Sequence, residues 1–396
     1  MYSLHLTAEQ REIRETVRDF VAQEIKPIAL KSSRLEAGER RFPPQVLARA
    51  SQMGLRTLAL PEELGGAGAD NLTVCIVGEA LAAGDVNVAH TLAETAMLAR
   101  LLFGQAMTPE QCARFLPSFI ADDHYHLAHA MRETGTDIAL GINYHRGPIP
   151  AAVATCAARD TNGDWIINGA KTLALNAPLA KLFAVQVRFD SDGRGPNEVG
   201  TLLVPSESAG LEVREPEQPR GWYHGSCGDV RFVNCKVPAA NEVSPQRTRQ
   251  LADVLSNGRG IPLKQAMNIG VGQAAYEAAL DYAKLRVQGG RRIIEHQAIG
   301  TLLADCAIRL QVARNAVWQA AWASDHPEAY ADQSVDDLPL QHIAEAYTAE
   351  AMHKVALDAA DVFGAMGVMR DMPLTKYVRD ALIFLHSGHG VNSRPN

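Results

Sequence analysis

No apolar run approaches the roughly 20 residues that a helix needs to cross a bilayer. The opening MYSLHLTAEQREIRETVRDF is charged and amphipathic, without the apolar stretch of a signal peptide. A cytoplasmic protein without a membrane partner is the expectation. The 38 Lys and Arg are outnumbered by 45 Asp and Glu and scattered among them, giving a net charge of −7. No basic stripe is left to neutralise a phosphate backbone, so nucleic acid is a poor candidate partner and any anionic cofactor must be held by a few local donors. The six cysteines, Cys75, Cys112, Cys156, Cys227, Cys235 and Cys306, form no CxxC pair, and no His cluster has metal-ligand spacing. They read as reduced thiols, which argues against both a disulfide frame and a zinc site.

What is present is the composition of a compact globular chain. Hydrophobic residues make up 47% and charged residues 21% of 396 positions, a length that calls for two or three packed units. Thr7 is placed to cap a helix, with Gln10 three residues on to close a capping box, and Ile13, Val17, Phe20, Val21 and Ile25 follow at helical spacing. Pro27 ends that helix or begins the next. Further helices are expected over 44–53, 72–83, 88–103 and 109–120, with LPEELGGAGAD (60–70) too rich in Gly to be one. Residues 1–123 therefore read as an all-α domain.

From about 124 to 242 the period changes. AAVATCAARD, WIINGAKTLAL, KLFAVQVRF, GTLLVP and GDVRFVNCKVP are short β-prone runs punctuated by Asp-Gly, Asn-Gly and Pro, which predicts a central barrel or sandwich. Over 243–396 long helical patterns return at 263–286, 297–325, 339–364 and 373–385, enough for a four-helix bundle. The fold class expected is a multi-part α+β chain: helical domain, β domain, helical bundle. Trp165, Trp222 and the bundle methionines read as core, and Glu62 and Glu63 as helix-end or surface charges.

Six segments carry a resemblance. LTAEQREIRETVRDFVAQEIKPIA, LPEELGGAGAD, WIINGAKTLALNAP, GDVRFVNCKVPAANEV, YAKLRVQGG with HQAIG, and VFGAMGV with VRDA all resemble acyl-CoA dehydrogenases, in that family's order and with about its spacing. Each match alone is weak; six in register are not. The resemblance implies FAD between the β domain and the bundle, an acyl-CoA or acyl-carrier thioester on the flavin's face, and a place in fatty acid metabolism. It also implies a homo-oligomer (dimer or tetramer) or a hetero-oligomer with a homologous subunit. The reaction implied is loss of the α-proton with transfer of the β-hydrogen to the flavin as hydride.

Residue by residue, the resemblance sets Arg286 and Gln297 on the FAD pyrophosphate and adenine side, a task for which the Arg fork is suited. Gly289 stands where relatives carry a Phe. Gly364 and Gly367 match a glycine-rich turn near the cofactor, although a helix C-cap explains Gly364 as well. In RETGTDI, Gly135 and Thr136 match a loop whose hydroxyl meets the flavin phosphate, and Arg132 replaces a Thr, falling on the substrate side. Leu173 and Leu175 replace a Trp and a Thr of the flavin wall, so donors to the ring are lost there.

The proton acceptor departs from the family. The two positions at which relatives place a carboxylate are Gly388 and Gly260, and neither residue can accept a proton. His386 and His389 flank the first of them and are candidate bases by virtue of titrating near neutrality, or else tail residues. Asp253 is a weaker candidate. Three readings stay open: an acyl-CoA dehydrogenase with a displaced base, a flavin-dependent reductase or eliminase acting on a thioester, and a non-catalytic subunit that completes a partner's site.

Overall fold

The structure, a computed structural model, describes residues 5–31, 35, 42–133, 153–190, 198–214, 227–247 and 261–386. By its internal contacts the chain divides into a helical unit, Met1–Val46 with Ala69–His90 and Val254–Asn396, and a sheet unit, Leu47–Gly68 with Thr91–Asp253. The N-terminal helical stretch is thus shared between the two.

In the helical unit, α1 (Ala8–Phe20) begins at the expected capping box. Gln10 N donates to Thr7 Oγ1 at 3.1 Å and Thr7 N to Gln10 Oε1 at 3.1 Å, which meets two N–H groups that the first turn leaves without intrahelical partners. A π-helical turn, Val21–Ile25, joins it to α2 (Lys26–Ala29), whose first turn contains Pro27. The next helix, α3 (Pro44–Gln52), begins in the helical unit and continues from Leu47 in the sheet unit. α4 (Asn71–Ala82) is capped by Asp70, whose carboxylate accepts from Thr73 N. α5 (Val86–Leu101) follows, giving its first residues to the helical unit and the rest to the sheet unit.

The bundle helices are α7 (Leu263–Leu285), α8 (Gln297–Asp325), the short α9 (Glu328–Ala331), α10 (Leu340–Phe363) and α11 (Leu374–His386). α7 packs on α4, α8, α10 and α11. Small residues permit the close crossings: a Cβ on Gly78 of α4 would meet Leu263 Cδ1 at 2.6 Å, and one on Gly270 of α7 would strike the Glu79 carbonyl. Among the described residues no helix is long and apolar enough to cross a membrane.

In the sheet unit, α6 (Pro109–Ala121) carries a second capping box, Thr108 with Gln111. Eight strands follow: β1 (His126–Ala130), β2 (Cys156–Arg159), β3 (Trp165–Leu175), β4 (Ala180–Asp190), β5 (Val199–Pro205), β6 (Leu211–Arg214), β7 (Cys227–Val237) and β8 (Glu242–Val243). They form one connected sheet in the order β6-β7-β3-β2-β4-β5-β8, with β1 beside β4 in parallel. Period-two alternation fills both faces. Trp165, Ile167, Phe183, Val185, Val187, Val230 and Phe232 build one core, while Leu182, Ala184 and Leu203 join Leu98, Leu102, Phe103 and Phe119 in the other. Trp165 is fully buried, as its core reading requires.

Asn168-Gly169 does not end a strand as a turn would. β3 runs through it with a register shift against β7, and Gly169 lies at φ +144° with its Hα side against Thr155, where a Cβ would sit 2.6 Å from the Thr155 Cα. The glycine marks a bulge instead.

Candidate active site

Three backbone runs of the sheet unit come together: residues 131–133 beyond β1, the last residues of β3, and the first of β7. Thr172 N donates to Arg132 O at 2.8 Å, Leu173 N donates to Asp229 Oδ1 at 3.1 Å, and Leu175 pairs with Cys227. Along β3 the inward alternation holds at Trp165, Ile167 and Lys171 and then slips, because Leu173 takes a left-handed φ of +51°. Leu173 therefore turns outward while Ala174 turns inward. A leucine in this region of φ is strained, so the surroundings must hold it.

Two polar arrangements do so. Lys171 Nζ, wholly buried, donates to Glu133 Oε1 at 2.6 Å and to Met131 O at 3.3 Å, and Glu133 also accepts from Ala154 N at 2.7 Å and Thr155 N at 2.9 Å. Burial would raise the Glu133 carboxyl, but Lys171 and the two N–H groups outweigh it and hold the group down at about 2. On the far side, Asn176, itself at φ +61°, donates through Nδ2 to Thr91 O at 2.9 Å, Thr95 Oγ1 at 3.2 Å and Leu127 O at 3.4 Å. Thr95 gives its own proton to Thr91 O and lies 3.0 Å from His126 Nδ1, which assigns the Nδ1–H tautomer to that histidine. Desolvation, with help from Arg56, lowers His126 to about 4, so the ring is neutral at pH 7.

The result is an outward apolar platform with a cation on it. Leu173 and Met131 are 41% and 40% exposed, unusual for large apolar side chains, and Arg132, next to Met131, is exposed as well. This donor set fits a flat ring that carries an anionic tail: the apolar side chains can stack, and the guanidinium can take a phosphate or a carbonyl. Leu175 is half-buried and offers no donor. Cys227 is no nucleophile, since burial, reinforced by Glu94, pushes its thiol up to about 12.

In the helical unit, Arg286 caps α7 through its N–H on Tyr282 O at 2.8 Å, and Gln297 opens α8; both side chains are exposed. Between them Val287–Gln288 and Arg291–Arg292 form a hairpin (β9 and β10) whose two-residue turn has Gly289 at φ +65° and Gly290 at +81°. That turn type requires two left-handed residues, which is the local reason for glycine at 289. Gly364, at φ +57°, caps α10 with open space around it, whereas a Cβ on Gly367 would meet Ala360 O at 2.6 Å. Gly367 is thus accounted for by the packing of its own turn. His386 ends α11 and is exposed. Desolvation and the nearby His386 together lower His353 on α10. Gly135, Thr136, Trp222, Asp253, Gly260, Gly388 and His389 lie outside the described residues.

A cleft of 460 Å³ beside α1 and α8 and another of 610 Å³ beside α6 contain none of the expected residues. Among the described residues no group of His, Cys, Asp and Glu is placed to hold a metal. The Glu133–Lys171 pair and the Asn176 network escape a sequence reading, although a lone lysine inside the apolar run WIINGAKTLAL is a signal that a buried acid must answer it.

Sequence profiles for the acyl-CoA dehydrogenase N-terminal, middle and C-terminal domains match residues 7–123, 145–235 and 254–390 in that order. The chain belongs to the acyl-CoA dehydrogenase family. The family's members are FAD-dependent oxidoreductases acting on CH–CH groups. The chain is similar to an acyl-CoA dehydrogenase of Bacillus subtilis, 29% identical over 96% of this chain and 94% of that one. It is likewise similar to the mouse mitochondrial short-chain specific acyl-CoA dehydrogenase, 28% identical over 96% and 87%. Among solved structures, butyryl-CoA dehydrogenase of Megasphaera elsdenii superposes with a TM-score of 0.81 at 23% identity, covering 97% of this chain and 95% of that one.

Proposed function

We propose that this chain oxidises an acyl thioester, acyl-CoA or an acyl carrier conjugate, between its α and β carbons with FAD as cofactor. The observation that carries this reading is agreement with acyl-CoA dehydrogenases over nearly the whole chain, domain by domain. FAD, when bound, accepts the β-hydrogen as hydride. The platform of Met131 and Leu173 seats the ring, Arg132 takes a polar group of the substrate or cofactor, and Gly135 and Thr136 follow on the same run. Leu175 lends apolar surface only. Arg286 and Gln297, exposed on either side of the β9–β10 hairpin, take the dinucleotide end, and Gly364 and Gly367 belong to the glycine turn assigned to the cofactor.

Removal of the α-proton falls to His386 or His389, since Gly388 and Gly260 offer no carboxylate. A neutral imidazole can take that proton near pH 7. An oligomer is part of the reading, supported by Ile308 and Val312 on α8 and Ile343 and Tyr347 on α10, which are exposed at one-turn spacing and form apolar stripes on the bundle. A second reading, a subunit that binds but does not catalyse, is favoured by the leucines at 173 and 175, which cannot donate to the ring.

The test is spectroscopic. The purified protein should show a flavin visible spectrum at about one FAD per chain and bleach anaerobically with at least one member of an acyl-CoA panel. A yellow protein that no thioester bleaches would leave the subunit reading standing. His386→Ala and His389→Ala, assayed together, should slow bleaching roughly 10²-fold or more if either is the base.

A further inference from the structure

We infer that Lys171 and Glu133 form a latch that sets the position of the apolar platform, which makes both of them positioning residues for the flavin; the inference rests on the flavin reading above. Their contact joins points 38 residues apart in sequence and lies wholly inside the sheet unit. Lys171 is the last inward residue of β3 before the strand flips at Leu173, and Glu133 precedes Gly135 by two positions in the sequence. Glu133 also grips the Ala154 and Thr155 amides, which precede β2. One carboxylate and one ammonium therefore fix three segments at once: the platform's Met131 and Arg132, the left-handed turn at Leu173, and the backbone leading into β2. A buried ion pair stabilises little over an apolar pair of equal size, so its presence beside a strained residue is better explained by geometry than by stability.

The experiment compares Lys171→Met with Val204→Ala, a cavity variant in the core of the same unit, at conditions where both are folded. Two quantities are read: FAD affinity, by flavin fluorescence on reconstitution of the flavin-free protein, and amide hydrogen exchange of that flavin-free protein. With the latch, Lys171→Met binds FAD roughly tenfold or more weakly than Val204→Ala, and it alone loses protection at Ala154, Thr155 and Thr172. Equal FAD affinity in the two variants overturns the positioning role. If the wild type takes up no FAD, the flavin reading fails by itself; the latch is then judged on exchange, and retained protection at Thr172 overturns it. Should Lys171→Met not fold, Glu133→Gln, which keeps its shape and one acceptor oxygen, is compared in the same way.

Discussion

Lys171 in the sheet unit and Lys376 in the helical unit are both buried, and they keep company with acids in different numbers. Among the described residues Lys171 faces one acid, Glu133, and desolvation wins, so its ammonium is lowered from the ordinary range. Lys376 lies 2.7 Å from Asp380, one turn on in α11, and 3.3 Å from Asp85, and the two carboxylates outweigh its burial and raise it. The backbone side of the two arrangements is alike. Glu133 spends its remaining lone pairs on the Ala154 and Thr155 amides, while Asp85 spends its own on the Asn87 and Val88 amides that open α5. In both cases a backbone turn is fastened by an acid that a lysine holds in place; in the bundle the lysine also meets a second acid, Asp380.

That contrast predicts unequal losses. Lys376→Met strands two buried carboxylates and should cost near the upper end of the about 3–5 kcal/mol typical of broken buried pairs, whereas Lys171→Met strands one that keeps two N–H donors and should fall near the lower end. Urea unfolding of the two variants measures both. An equal or reversed order would mean that the Ala154 and Thr155 amides do not compensate Glu133 for the lost ammonium.

The same contrast separates the units by pH. Glu133 is held at about 2 in the folded chain, below its ordinary value near 4.5, so its contribution is present above pH 4.5 and drains away as pH falls toward 2. Lys376 is raised above 10.5, so its contribution is complete below that pH and is lost only as pH climbs through the higher folded value. Glu133→Gln should therefore lower the melting temperature at pH 7, with a smaller deficit at pH 3, and converge on wild type as pH approaches 2. Lys376→Met should keep its full deficit at pH 7 and begin to converge only above about pH 10.5. A Glu133→Gln deficit undiminished at pH 3 would show that its hydrogen bonds, and not its charge, hold the turn.

Much of this architecture is legible in the residues. The Thr7 capping box, the span of α8 and the eleven residues of β3 follow from local signals, namely a hydroxyl and an amide three apart, an apolar period of 3.6, and an apolar run rich in β-formers. The platform is legible only as two substituted positions, Leu173 and Arg132, and Met131 carries no such signal. Its support is not, because Lys171 with Glu133, and Asn176 with Thr91 and Thr95, pair across 38 to 85 residues with no period to announce them. Arg56 is another such case: its buried guanidinium donates to Phe119 O and Tyr125 O and stacks 4.3 Å from the Phe119 ring, a cap for α6 supplied from a distant turn. The left-handed leucine is likewise invisible beforehand, since intrinsic preference forbids it and only tertiary contacts impose it.

The smallest expected effect sharpens the comparison at the two capping boxes, one in each unit. Thr7→Ala and Thr108→Ala remove the same bond, side-chain oxygen to the third amide of the helix, and should each cost about 1 kcal/mol. The glutamines differ. Gln10 Nε2 reaches the Thr73 hydroxyl at 3.2 Å, a group free to turn toward another partner, whereas Gln111 Nε2 is shared between the carbonyls of Ala240 and Glu242 at 2.8 and 2.9 Å, which are fixed in the backbone leading into β8. Gln111→Ala should accordingly exceed Thr108→Ala by about another 1 kcal/mol, while Gln10→Ala stays close to Thr7→Ala. Because α6 and β8 belong to the same unit, the extra loss should coincide with faster exchange of the Val243 amide, the strand partner of Thr201. If the two glutamine variants lose the same amount and Val243 stays protected, Gln111 is only a cap, and the tie between α6 and the edge of the sheet carries no energy of its own.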